Sequence, residues 1–145
     1  MSASTKLSTS VKALSFLALT HPEPQSSKAI SDAVSANASK LRQLLSMLTK
    51  YNIVDSAKGT SGGFILVKDP KVIHLQEIYC SIEDRKAFHL HVRSAQENQE
   101  IEMSEKFNTF FLDLFAEVQV DIENKFRRIT LAQIMKKLNI KNNYK

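Results

Sequence analysis

Asn37-Ala-Ser-Lys-Leu-Arg-Gln-Leu-Leu-Ser-Met-Leu48 and, a few residues on, Lys58-Gly-Thr-Ser-Gly-Gly-Phe-Ile-Leu66 are the two segments whose reading decides the fold. In the first, Leu41, Leu44, Leu45 and Leu48 recur by threes and fours, the spacing of one helix face. Ser39, Lys40, Arg42, Gln43, Ser46 and the following Lys50 are left on the other side, which is polar and basic. Asn37 precedes the stripe and can accept a hydrogen bond from a first-turn amide, so the helix is expected to start there. In the second segment the period changes. Short extended runs, Ile53 to Lys58 and Phe64 to Val67, flank Gly59-Thr60-Ser61-Gly62-Gly63, where all three glycines of the chain lie. Glycine tolerates positive φ and lets another backbone come close, so the segment predicts a tight hairpin tip.

Upstream, Thr5 to Leu19 carries Leu7, Val11, Leu14, Leu17 and Ala18 on one helical stripe, which stops at His21-Pro22-Glu23-Pro24. Ser26 or Ser27 can cap a second helix with Ala29, Ile30, Ala33 and Val34 inward. Only Ser35-Ala36-Asn37-Ala38 separates it from the third, short enough to force the angle of a helix-turn-helix. Downstream of Asp69-Pro70, His74 to Glu83 reads as a helix with Leu75, Ile78, Tyr79 and Ile82 inward. From about Ile101 a long helix presents Phe107, Phe110, Phe111, Leu114, Phe115, Val118 and Ile122. Thr130 with Gln133 has the capping-box spacing and opens a last helix through Leu131, Ile134, Met135 and Leu138. The fold class is therefore mostly α with a small β-hairpin wing. The expected divisions are a winged helix-turn-helix domain at 1–83, a connector at 84–100, and a dimerisation helix plus C-terminal helix at 101–145. Five of the eight phenylalanines lie between Phe107 and Phe126, and something must cover them; the simplest cover is the same helix of a second copy, because a two-fold interface is self-complementary.

With 145 residues and 43% apolar content, the chain can bury a core without disulfides. No apolar run approaches the roughly 20 residues a membrane span needs, and the first residues lack the features of a secretory signal, so a cytoplasmic protein is expected. The net charge of +5 is unevenly placed. Residues 1–72 hold nine Lys/Arg against four Asp/Glu, and residues 73–145 hold eleven of each. A basic first half suits a polyanion.

Helix, short turn, helix and hairpin is the order of a winged helix-turn-helix, whose second motif helix enters the major groove of DNA. Arg42 can then fork onto guanine and Gln43 can pair with adenine, each such contact discriminating by about 1–3 kcal/mol. Ser39 and Lys40 suit phosphates or base edges, while Lys58 and the amides of the glycine turn suit phosphates. Enzyme readings lack their motifs: no phosphate-binding glycine loop opens a helix and no nucleophile elbow is present. The single cysteine, Cys80, can form no intramolecular disulfide and cannot alone supply a thiolate metal site. It reads as a buried residue of the Leu75 to Ile82 helix, and Glu77, Glu83 and Asp84 nearby weigh against the other reading, a redox switch. His74, His89 and His91 could be drawn as a metal or effector site, but no second ligand type completes a set, so neither metal nor cofactor is expected. Two rivals stay open. One is a protein-interaction module on a winged scaffold with little DNA binding, and the other an effector-binding protein that uses those histidines.

The run Asn37 to Leu48, then Asn52-Ile-Val-Asp-Ser56, Lys58 to Leu66 and Ile73-His-Leu-Gln-Glu-Ile78, resembles the Rrf-two family of winged-helix regulators over about half of the chain. Its most specific part is the wing, with two adjacent glycines followed by an aromatic residue and a leucine. The resemblance implies a homodimer on a palindromic DNA operator, usually as a repressor; that no membrane partner is expected follows from the short apolar runs alone. It also implies DNA contacts from Asn37, Ser39, Lys40, Arg42 and Gln43, and from Lys58, Gly59, Thr60, Ser61, Gly62 and Gly63. Family members that sense iron, nitric oxide or redox state hold an iron–sulfur cluster with three cysteines in the connector, where this chain has none. The resemblance is thus to the clusterless branch, with an unidentified small effector left open.

Overall fold

A computed structural model describes residues 1–57, 62–83 and 99–145. The first helix, α1, runs Ala3–Thr20 and is capped by Ser2, whose hydroxyl accepts from the Thr5 amide at 3.2 Å. Helix α2 (Ser27–Val34) is capped by Ser26, and α3 (Ala38–Lys50) by Asn37. Between α2 and α3 the chain turns at Ser35, which is left-handed at φ 54°. Its amide donates to the Ser31 carbonyl, the Ser31 hydroxyl donates to the Ala36 carbonyl, and the turn is tied at both ends.

Strands β1 (Val54–Ala57) and β2 (Gly63–Leu66) form the antiparallel hairpin, with Val54 opposite Leu66 and Ala57 opposite Gly63. Gln25 adds a third, one-residue partner beside β2: its amide donates to Phe64 at 2.9 Å and its carbonyl accepts from Phe64 at 2.7 Å. Helix α4 (Leu75–Ile82) follows, then the 29-residue α5 (Gln99–Arg127) and α6 (Leu131–Lys137). The expected connector at 84–100 lies outside the described residues except for Gln99 and Glu100, where α5 has already begun.

The chain divides into two compact units, one made of Met1–Asp84 with Phe126–Lys145, the other of Arg85–Lys125. In the first, the core runs through Leu14 and Leu17 of α1, Ile30 of α2, Leu41, Leu44, Leu45 and Leu48 of α3, Leu66 of β2 and Ile78 of α4. The apolar stripes read for α1, α3 and α4 face this core, as does Ile30 of α2, whereas Ala33 of α2 and Leu138 at the end of α6 are exposed. Leu131 and Met135 of α6 are fully buried in it as well, which corrects the grouping of the last helix with the long one. Pairing along the backbone explains the return: Leu75 donates to the Ile129 carbonyl at 2.9 Å, Leu131 to Ile73 at 2.8 Å and Ala132 to Pro70 at 3.0 Å. The capping box of Thr130 and Gln133 then starts α6 at this crossing. The tail continues the attachment, with the Asn143 amide on the Ala18 carbonyl at 3.0 Å and the Tyr144 hydroxyl on the Val67 carbonyl at 3.3 Å.

The second unit is described through α5, on which Phe107 (55%), Phe110 (60%), Phe111 (40%) and Leu114 (37%) are exposed, while Phe115, Val118 and Ile122 are half-buried. Neighbouring rings on the helix meet, Phe110 edge-on to Phe111 at 5.4 Å and Phe111 tilted to Phe115 at 5.8 Å. No described helix is long and apolar enough to cross a membrane.

Candidate nucleic-acid interface

Because Leu41, Leu44, Leu45 and Leu48 anchor one face of α3 in the core, the opposite face is held outward on a rigid support. Asn37, Ser39, Lys40, Arg42 and Gln43 are all exposed. Asn37 Oδ1 accepts from the Lys40 amide at 3.1 Å, which fixes the first turn. Lys40 and Arg42 make no ion pair among the described residues, and α3 contains no acidic residue, so their charge is directed to solvent.

At the wing, Lys58, Gly59, Thr60 and Ser61 lie outside the described residues. Gly63 has a structural task. A Cβ added there would stand 2.6 Å from the Gln25 carbonyl oxygen and 2.7 Å from its carbon, so the third strand approaches where no side chain fits. Gly62 precedes it and is half-exposed.

One placement differs from the sequence reading. Cys80 is exposed rather than buried, since residues 75, 78, 79 and 82 set the inward stripe of α4 and position 80 falls about 200° from Ile78 on a 3.6-residue helix. Its sulfur accepts from Gln76 Nε2 at 3.2 Å. His74 stands at the N-cap position of α4 without a side-chain capping bond and pairs through its backbone with Thr130, whereas His89 and His91 lie outside the described residues.

The sequence reading missed the first half of α1. Ser4, Ser8 and Lys12 follow one another at intervals of four, with Thr5 and Thr9 beside them, and this polar face borders a cavity of about 460 Å³ that reaches Ser35, Asn37 and Lys40. The signal was present as a hydroxyl-rich stripe opposite Leu14 and Leu17, in a helix without a single acidic residue.

Regrouping the chain by its units sharpens the charge distribution. Met1–Asp84 with Phe126–Lys145 holds fifteen Lys/Arg against seven Asp/Glu, a net +8, and Arg85–Lys125 holds five against eight, a net −3. Residues 126–145 carry six cations and no anion.

A three-residue turn, an exposed basic second helix and a hairpin wing on a shared core define a winged helix-turn-helix DNA-binding domain. The chain as a whole matches proteins built in this way. It belongs to the Rrf2 (Rrf-two) family, whose model, described as an iron-dependent transcriptional regulator, matches residues 3–137. A protein of Bacillus subtilis (strain 168) named as an HTH-type transcriptional regulator, YwnA, is 28% identical over 134 residues, which is 92% of this chain and 96% of that protein. The solved structure of T. potens IscR is 27% identical with a TM-score of 0.65, covering 92% of this chain and 85% of that one. The structure of a transcriptional regulator from Lactobacillus plantarum, at 17% identity, shares the fold with a TM-score of 0.79 over 92% of this chain and 89% of its own.

The family description names iron, and the donor set here does not fit an iron–sulfur cluster. One cysteine cannot replace three thiolates, and among the described residues no three His, Cys, Asp or Glu side chains gather as a metal site.

Proposed function

We propose that this chain is a homodimeric, sequence-specific repressor that lays α3 in the major groove of a palindromic operator and follows phosphates or the minor groove with its wing. The observation that carries this reading is the outward face of α3: Arg42 and Gln43 stand exposed, without ion pairs among the described residues, on a helix whose other face is locked into the core. Arg42 supplies a fork for guanine and Gln43 a bidentate pair for adenine, while Asn37, Ser39 and Lys40 set the register on the backbone. The wing from Lys58 to Gly63 adds affinity more than discrimination.

The second copy is supported by the exposed Phe107, Phe110, Phe111 and Leu114 on α5. Apolar groups of this size left in water favour association, and a self-complementary pairing of two α5 helices is the commonest symmetric solution. Half-sites then stand about one helical turn, roughly 34–36 Å, or a multiple of it, apart.

Selection of bound sequences from random duplex DNA at a fixed salt concentration tests the reading. A palindromic site should emerge. Arg42→Ala should then cost about 1–3 kcal/mol at one base pair of each half-site and relax the preference there. Recovery of no enriched site, or an affinity indifferent to salt, would refute it.

A further inference from the structure

The tail after α6 crosses the end of α1 and leaves a cavity of about 500 Å³, whose walls include His21, Pro22, Asn143 and Lys145. That volume lies within the range of about 300–1,000 Å³ usual for small-molecule sites. Asn143 fixes the tail there: its amide donates to the Ala18 carbonyl at 3.0 Å and its Nδ2 to the Leu19 carbonyl at 2.6 Å. Tyr144 lays its ring on the imidazole of His21, with centroids 4.5 Å apart and planes tilted by 44°, while its hydroxyl donates to the Val67 carbonyl at 3.3 Å. These donors of the tail are spent on backbone carbonyls, and His21 receives a ring in place of a polar partner.

His21 Nδ1 is buried and makes no hydrogen bond among the described residues. A buried ring nitrogen left in this way costs stability unless a group from outside the chain satisfies it. Lys145, the second polar wall, is exposed and makes no ion pair among the described residues. No Asp or Glu lines the cavity among the described residues; Glu23, close by in sequence, is exposed and is not part of its wall. An imidazole N–H and an ammonium on one cavity, with no carboxylate side chain to answer them, match the two oxygens of a carboxylate. Pro22 and the methylene stem of Lys145 make the rest of the wall apolar, so the ligand carries an apolar body as well.

We propose that this cavity seats a small organic monoacid, an effector of the regulator, with its carboxylate held between His21 Nδ1–H and Lys145 Nζ. In the occupied state the imidazole carries a proton on Nδ1. Tyr144 connects the seat to the wing. The side chain that covers His21 ends on Val67, whose amide donates to the Ile53 carbonyl at 3.2 Å at the foot of the hairpin. Turning His21 toward a ligand moves the Tyr144 ring with it and loosens the bond to Val67, so occupancy is read at the base of the wing and lowers the affinity for DNA. That output rests on the DNA-binding reading above; the seat itself does not.

The test uses the full chain, and its probes are sodium isovalerate, benzoate and acetate, each against sodium chloride at equal ionic strength. Long-range proton–nitrogen correlation spectra follow the ring nitrogens of the four histidines. Isovalerate and benzoate should move the His21 Nδ1 resonance saturably and leave His74 in place. Acetate should bind more weakly for want of an apolar body, and chloride should move nothing. Lys145→Gln, an exposed substitution, should weaken isovalerate by about threefold to tenfold. His21→Phe keeps a ring against Tyr144 but removes the nitrogen, and should abolish binding. No saturable shift with any of the three acids, a shift that chloride reproduces, or an affinity unchanged in Lys145→Gln would overturn the seat. Fluorescence anisotropy with a selected duplex reads the output: saturating isovalerate should weaken binding by about fivefold or more. Tyr144→Phe, which keeps the ring and loses the bond to Val67, should respond less. Binding of the acid with no change in DNA affinity overturns the effector role and leaves the seat. A wild-type chain that binds no duplex overturns the DNA-binding reading, while the spectra still decide the seat.

Discussion

Gly63→Ala distinguishes a glycine that the fold requires from one that DNA requires. The added Cβ meets three backbone atoms of Gln25, its oxygen at 2.6 Å, its carbonyl carbon at 2.7 Å and its nitrogen at 3.1 Å. None of these can rotate away as a side-chain end would. Restoring an ordinary contact of about 3.5 Å moves Gln25 from β2 by roughly 0.9 Å. The two hydrogen bonds joining Gln25 and Phe64, at 2.7 and 2.9 Å, then lengthen to the limit at which such bonds cease to count. Losing both costs about 1–3 kcal/mol, and residual crowding adds about 1–3 kcal/mol. The smaller conformational freedom of unfolded alanine returns about 0.4–1 kcal/mol. The net expectation is a loss of about 2–4 kcal/mol in urea unfolding, accompanied by faster amide exchange at Gln25 and Phe64. A loss below about 0.5 kcal/mol with the Phe64 amide still protected would refute the steric argument. Weakened DNA binding at unchanged stability would instead place Gly63 at the nucleic acid.

Phe111→Asp should convert the protein to a monomer in sedimentation equilibrium while leaving the winged unit's unfolding transition in place, since Phe111 is 40% exposed in the single chain; persistence of a dimer would move the interface away from this face of α5. Leu131→Ala removes a fully buried side chain from the core shared with α1 and α3 and should cost about 2–5 kcal/mol by chemical denaturation, whereas a cost under 1 kcal/mol would show that α6 is not part of the winged unit's core.

What the sequence disclosed was governed by range. The caps at Ser26, Asn37 and Thr130 are formed between residues three apart, and they were legible because the donor and acceptor lie within one turn. The α3 stripe and its basic outer face were legible for the same reason, since helical periodicity decides which residues can share a side. Gln25 was not, because a single extended residue has no period and its partner Phe64 lies thirty-nine positions on. The exposure of Cys80 follows from its angle on α4, which its charged neighbours in sequence do not reveal. The polar stripe of α1 was visible, but only the fold shows that it borders the turn before α3.

The largest difference lies in where the chain ends up, and it changes the electrostatic argument. Divided at the middle of the sequence, the chain appears as a basic half joined to a neutral one. The pairing of residues 129–132 with 70–75 brings the last twenty residues back to the winged unit, together with their six cations. The remainder, Arg85–Lys125, is thereby left acidic. A neutral half would be indifferent to a polyanion, whereas a unit of net −3 is repelled by it. The contrast of +8 against −3 therefore does more than raise the attraction of the winged unit for DNA. It also disfavours encounters in which the long helix approaches the duplex first, and so favours productive orientation at low salt, an effect that fades as the screening length shortens.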